Sequence, residues 1–237
     1  MEKIKQRHMG VGVVIALLAL GMVVLFPPLL RADDMRKAQG LVDKARVTFS
    51  EFMRDSTYGW LHENVDHAKG VLIFPQILKG GFIWGGSGGT GVFMVRDERT
   101  GKWSDPAFYT LGSVTFGLQI GGESAQVVMV AMTKKAVDSL LSSSFKLGGD
   151  VSIALGPLGG GAKASADIPS VTGDFVSFAK SKGLYAGLNL EGAVIAVRDG
   201  LNRGYYGKGV RPADIIVMKD VRDSHSAGLR ETLRCKC

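Results

Sequence analysis

The chain holds only two cysteines among its 237 residues, Cys235 and Cys237, both at its extreme end. A bridge between residues two apart is strained, and terminal residues seldom support structure, so no disulfide framework organises this protein. The isolated C-x-C reads as an incidental tail rather than a redox pair. No cysteine follows the N-terminal apolar run, which removes the acceptor for a lipid-modified N-terminus. A P-loop and any Cys/His spacing suited to zinc are likewise missing. The sequence also lacks a biased linker and an internal repeat, so it reads as one domain behind a short leading segment.

Glycine is abundant instead, with 33 residues. They follow no collagen-like period and therefore point to turns and close backbone approaches. The formal net charge is +7. The first segment supplies Lys3, Lys5, Arg7 and Arg31 against Glu2, which leaves the rest of the chain at +4. That balance suits an anionic surface and falls short of a nucleic-acid footprint.

The leading segment carries its own signal. Lys3, Lys5 and Arg7 precede an uncharged apolar run from Val11 to Phe26, which Pro27 and Pro28 break. Leu30-Arg31-Ala32 forms an imperfect cleavage site. Residues 1–32 are expected to be a signal peptide or, uncut, a membrane anchor, because residues 11–30 match the roughly 20 that a bilayer needs. Both alternatives deliver residues 33–237 across a membrane, and the bacterial style of the segment predicts a periplasmic or envelope location.

From Asp33 to Ser56, Met35, Ala38, Leu41, Val42, Ala45, Phe49, Phe52 and Met53 recur at helical spacing. A second helix is expected over Tyr58–Ala68. Val71–Phe74 then reads as a buried strand stopped by Pro75. Further strands are expected at Phe82–Trp84, Val92–Arg96, Phe108–Ile120, Val127–Met132, Phe145–Leu155, Gly183–Leu190, Ala193–Val197 and Ile215–Met218. Arg99-Thr100-Gly101-Lys102 resembles a hairpin turn. Thr133 has the place of an N-cap for a helix over Lys134–Leu141, and a last helix falls at Ala227–Leu233. The pattern predicts an α+β fold: a single, strand-rich, mainly antiparallel, glycine-rich domain with N-terminal, middle and C-terminal helices.

Three patterns imitate catalytic motifs. Gly86-Ser87-Gly88-Gly89-Thr90-Gly91 matches G-x-G-x-x-G, yet a strand-like Val92–Val95 follows where a dinucleotide fold opens a helix. Gly85 to Gly89 fits a G-x-S-x-G elbow, which needs the same strand-to-helix turn, and His225 is the only histidine downstream of Ser87. His62 and His67 stand five apart, so on a helix they point about 140° from each other and share no metal. No enzyme, metal site or cofactor is expected.

Several segments, taken in order, carry a family resemblance. They are Ala68–Pro75, Gly80–Gly88, Gly101–Phe108, Gly117–Gly122, Lys146–Asp150, Gly156-Pro157, Ser181–Gly187, Glu191-Gly192, Asn202 and Tyr205–Gly207. Together they resemble the SYLF family, a lipid-binding domain also described as an actin-binding domain in yeast proteins. The resemblance implies a non-catalytic module for anionic phospholipid, with phosphoinositide-like headgroups. It also implicates an N-terminal amphipathic helix with nearby basic residues. By position these are Lys37, Lys44, Arg46 and Lys69, with Phe49 and Phe52 as apolar contacts. The same helix periodicity equally describes ordinary core packing, and its five basic residues meet five acidic ones. Membrane phospholipid is the expected partner and nucleic acid is not. An exported domain would not meet actin, so actin is not expected either. The alternative function is a protein-binding or structural module of the cell envelope.

Overall fold

The computed structural model describes residues 32–81, 84–116, 121–158, 172–182 and 190–234. The expected leader, most of the expected strand at 183–190 and both cysteines lie outside the described residues. The described chain opens with helix α1 over residues 32–54. Ala38, Val42, Ala45, Phe49, Phe52 and Met53 of α1 are all buried, so its three- and four-residue spacing is a packing stripe. Asp55 ends the run by accepting a hydrogen bond from the Thr57 N–H at 3.1 Å. The next expected helix is a composite: a 3-10 turn at Ser56–Tyr58, α2 at Gly59–Asn64 and a second turn at Val65–His67.

Eight strands follow among the described residues: β1 Gly70–Gly81, β2 Trp84–Val95, β3 Ala107–Phe116, β4 Gly121–Ala131, β5 Ser144–Lys146, β6 Ile153–Leu155, β7 Phe175–Lys182 and β8 Val194–Val197. Their order in one sheet is β5-β8-β3-β2-β1-β4-β7-β6. Every pairing is antiparallel except β6 with β7. Helices α3 (Lys134–Leu141), α4 (Asp199–Tyr206), α5 (Pro212–Ile216) and α6 (Ala227–Arg234) complete the set. The architecture is the α+β, mainly antiparallel arrangement that the patterning predicts.

The sheet is covered on both faces over its near half. Leu72, Phe74, Phe93, Tyr109, Met129 and Phe175 pack on one side with Ala136 and Leu140 of α3 and Ile215 and Ile216 of α5. Val71, Ile73, Val92, Phe108, Val128 and Phe178 pack on the other against α1, α2, α4 and α6. Successive residues of β1 thus enter opposite cores, which is why Val71 to Phe74 is apolar without alternation.

Some expectations are corrected. Pro75 does not stop β1, because the strand passes through it with a register shift between Ile73 and Gln76. The shift accommodates a residue that has no N–H for the ladder. At the shift β1 and β2 lie close together: a Cβ at Gly89 would lie 2.5 Å from the Gln76 carbonyl oxygen and one at Gly91 2.5 Å from that of Ile73. Residues 215–218 hold no strand, since Ile215 and Ile216 end α5. Pro212 suits a helix start, and the Arg211 N–H donates to Asp214 at 2.9 Å to close the first turn. The expected strand at 145–155 is two three-residue strands separated by a turn around Gly148, whose φ is +77°. Helix α4 and strand β7 were not anticipated.

Candidate functional site

The basic residues of α1 part company in three dimensions. Lys37 lies on the first turns, ion-paired with Asp33 one helical turn away. Lys69 precedes β1 and pairs with Glu98 in the loop after β2. Lys44 and Arg46 instead line an open groove of about 380 Å³, where α1 crosses the sheet. The far wall holds Pro75 and Gln76 of β1, Ser124 and Gln126 of β4, and Lys180 of β7. Lys180 is brought there by β4–β7 pairing, which sets it opposite Gln126. No local pattern in the sequence marks it, because the signal for its placement is a strand partner 54 residues away.

Charge in the groove is uneven. Lys44, Arg46 and Lys180 face one lining carboxylate, Asp43. Asp43 is engaged from outside by His225 Nε2 at 3.2 Å. Lys180 is steadied by Asp55 at 3.1 Å. The Asp55 carboxyl is held below the ordinary carboxylate range, first by hydrogen bonds from Thr57 and then by Lys180. Arg46 also leans towards α6, with Nη1 3.1 Å from where a Cβ at Gly228 would stand. Gln76 donates to the Ser124 hydroxyl at 3.4 Å, and Gln126 to Glu51 at 2.9 Å. The groove therefore offers cations with amide and hydroxyl groups between them, which is chemistry for a phosphate-bearing ligand.

Phe49 and Phe52 do not reach this surface. Their exposures are 1% and 0%, and Phe52 packs on the Tyr58 ring with centroids 4.5 Å apart. The structure seals them between α1 and the sheet, as the core-packing interpretation of the helix requires. The apolar residue that α1 does present beside the groove is Val47, about half exposed.

The glycine-rich motif is equally plain in its geometry. Gly86 to Gly91 lies wholly inside β2 and opens no helix. The Ser87 hydroxyl shares a 2.7 Å hydrogen bond with that of Ser113 on β3, its direct cross-strand partner. His62 lies within 2.9 Å of the Phe52 carbonyl oxygen. Among the described residues no three metal-ligating side chains come together.

A family model, Ysc84, described as Las17-binding protein actin regulator, matches residues 112–235. The chain belongs to this family of SYLF-domain proteins. The SH3 domain-containing YSC84-like protein 1 of Homo sapiens is 32% identical over 167 residues, which are 70% of this chain and 48% of that protein. LAS seventeen-binding protein 3 of Saccharomyces cerevisiae is 39% identical over 143 residues, 59% of this chain and 30% of that protein. An SH3 domain-containing protein of Schizosaccharomyces pombe is 40% identical over 143 residues, 59% and 33% of the respective chains. This SYLF chain thus spans 30% to 48% of the length of these relatives. No solved structure matches it.

Two expectations fall on these findings. The exclusion of actin is overturned, because the family is described as actin regulators and a relative is named for binding Las17. It had rested on export, and the location is overturned too. These SYLF relatives are proteins of yeasts and a mammal, which points away from a bacterial periplasm or envelope. Among the described residues no helix is long and apolar enough to cross a membrane.

Proposed function

We propose that this SYLF chain is a non-catalytic module that binds anionic phospholipid, with phosphoinositide-like headgroups received in the groove beneath α1. The carrying observation is the juxtaposition of Lys44, Arg46 and Lys180 around an open groove with Gln76, Ser124 and Gln126 between them. Each cation near an anionic surface contributes about 1 kcal/mol, and the contribution shrinks as salt screens it. Lys37 and Lys69 lie outside the groove and contribute through the general surface potential.

Vesicle co-sedimentation tests the reading. The full chain should prefer anionic to neutral vesicles, and the preference should weaken between low and high salt. Replacing Lys44, Arg46 and Lys180 together by Ala removes about 3 kcal/mol at most, a fall on the order of a hundredfold at low salt. Lys37→Ala and Lys69→Ala should each fall well short of that. An unchanged affinity in the triple variant would sink the groove as the headgroup site.

A second reading is favoured by what the relatives are called: contact with actin or with a Las17-like regulator. Pelleting of the chain with actin filaments in the absence of lipid is the measurement that separates it from the first.

A further inference from the structure

Among the described residues nothing covers the sheet beyond the groove, and its two faces exchange their usual character. Backbone pairing aligns Val194 of β8, Gly112 of β3, Gly88 of β2, Leu78 of β1 and Ser124 of β4 in one row. Alternation along the strands puts this row on the face that carries α1. Leu78 is 58% exposed and Val194 44%. Val114 of β3, one row further out on the same face, is 82% exposed. Gly80, Gly88 and Gly112 are exposed between them. The opposite face at the same level carries Glu123, Lys79, Ser87 and Ser113 in register. Of these polar residues Ser87 is buried and Lys79, Ser113 and Glu123 are half-buried, with Oε1 of Glu123 buried without a hydrogen-bond partner.

Apolar outside and polar inside is the reverse of a water-facing sheet and the pattern of a lipid-facing one. The glycines point the same way. A Cβ at Gly80 or Gly112 would meet nothing within 4 Å, so internal packing does not demand glycine there. Glycine in a strand costs stability and often marks a close approach from outside. At the level of the row each of the five strands is paired on both sides, as apolar surroundings require. Beyond Gly112, β3 is paired with β2 alone among the described residues, Val114 included. The row also adjoins the cationic groove, which complements an anionic bilayer.

We infer that this end of the sheet enters the bilayer, with the groove at headgroup level and Leu78, Val194 and Val114 in the acyl region. The inference rests on the headgroup reading above and specifies how the domain stands on the membrane. Rows on one face are two residues, or roughly 7 Å, apart along a strand. Val114 therefore lies about two rows, on the order of 14 Å, beyond the level of Gln76.

The test uses the full chain with Cys235 and Cys237 changed to Ser and one environment-sensitive fluorophore on Val114→Cys, Leu78→Cys or, as control, Val217→Cys. With phosphatidylcholine/phosphatidylserine vesicles, the label at 114 should shift to the blue and be quenched by a nitroxide on the acyl chains. The label at 78 should respond less, and that at 217 should not respond. Val114→Asp should lower partitioning about tenfold, and Met218→Asp, on the exposed stretch after α5, should not change it. Vesicle binding with a water-exposed label at 114 overturns the inference and leaves the headgroup reading intact. Absence of binding by the unlabelled chain overturns both. A concentration-dependent dimer abolished by Val114→Asp also overturns it, since the face would then join two copies.

Discussion

At the scale of single residues, the glycines divide by what surrounds them. A Cβ at Gly204 of α4 would stand 2.7 Å from the Cβ of Asp34, because α1 and α4 cross there. Gly204→Ala must push the helices apart and should cost about 1–3 kcal/mol, read as a lower midpoint in denaturant. Gly112→Ala meets no neighbour and should instead gain about 0.5–1 kcal/mol in the same measurement. Phe49 shows the same dependence on surroundings. Buried at 1% exposure, it should lose about 3–5 kcal/mol on Phe49→Ala, as global unfolding at milder denaturant rather than a selective loss of vesicle binding. A Val47→Asp change beside it, on the exposed side of α1, should leave stability nearly unaltered.

Among elements, the junction of α3 with β6 and β7 holds a densely bonded polar cluster. Thr133 caps α3 by accepting from the Ala136 N–H at 3.1 Å, and its hydroxyl donates to Asp174 at 2.7 Å. Asp174 also receives the Ser152 N–H at 2.9 Å and its hydroxyl at 2.8 Å, with Lys135 3.5 Å away. Burial alone would raise the Asp174 carboxyl, but the Thr133 and Ser152 hydrogen bonds and the Lys135 charge prevail and bring it down to about 2. A carboxyl depressed in the folded state stabilises above its unfolded value near 3.9, and the contribution disappears as pH falls towards 2. Asp174→Asn should therefore be less stable than the parent chain at pH 7. The gap should narrow between about pH 4 and pH 2 in denaturant titrations, and a gap constant with pH would refute the assignment.

At the scale of the whole molecule, the described residues form a sheet held between two unlike covers, and among them nothing covers one end of it. Near the chain ends, α1 and α6 close one face together, and the Trp103 Nε1–H donates to the Leu233 carbonyl at 3.2 Å beneath them. The groove runs between the middle of α1, residues 43–48, and strands β1, β4 and β7. Both the triple cation variant and the acyl-depth experiment are therefore tests at this scale. They ask whether one orientation of the entire domain places Lys44, Arg46 and Lys180 at the headgroups while Val114 goes deeper.

The chain's own order of residues determined much of this. The spacing of Ala38, Val42, Ala45, Phe49 and Phe52 prescribes α1, Thr133 marks the start of α3, and the ordered glycine segments point to the family. Local chemistry carries those features, so they are legible without contacts. Pro75 misled because a bulge depends on the neighbouring strand, and Ile215-Ile216 misled because a short apolar run fits strand and helix alike. Whether Phe49 and Phe52 meet lipid or protein was undecidable from periodicity, since a buried stripe and an inserted one share the same spacing. Only the tertiary structure decided that they are core, that Lys180 rather than Lys37 or Lys69 stands by Lys44, and that Leu78 and Val114 share the α1 face while Lys79 and Ser87 take the other. Each of these depends on cross-strand register and helix placement, which bring together residues far apart in the chain and are written in no local segment of it.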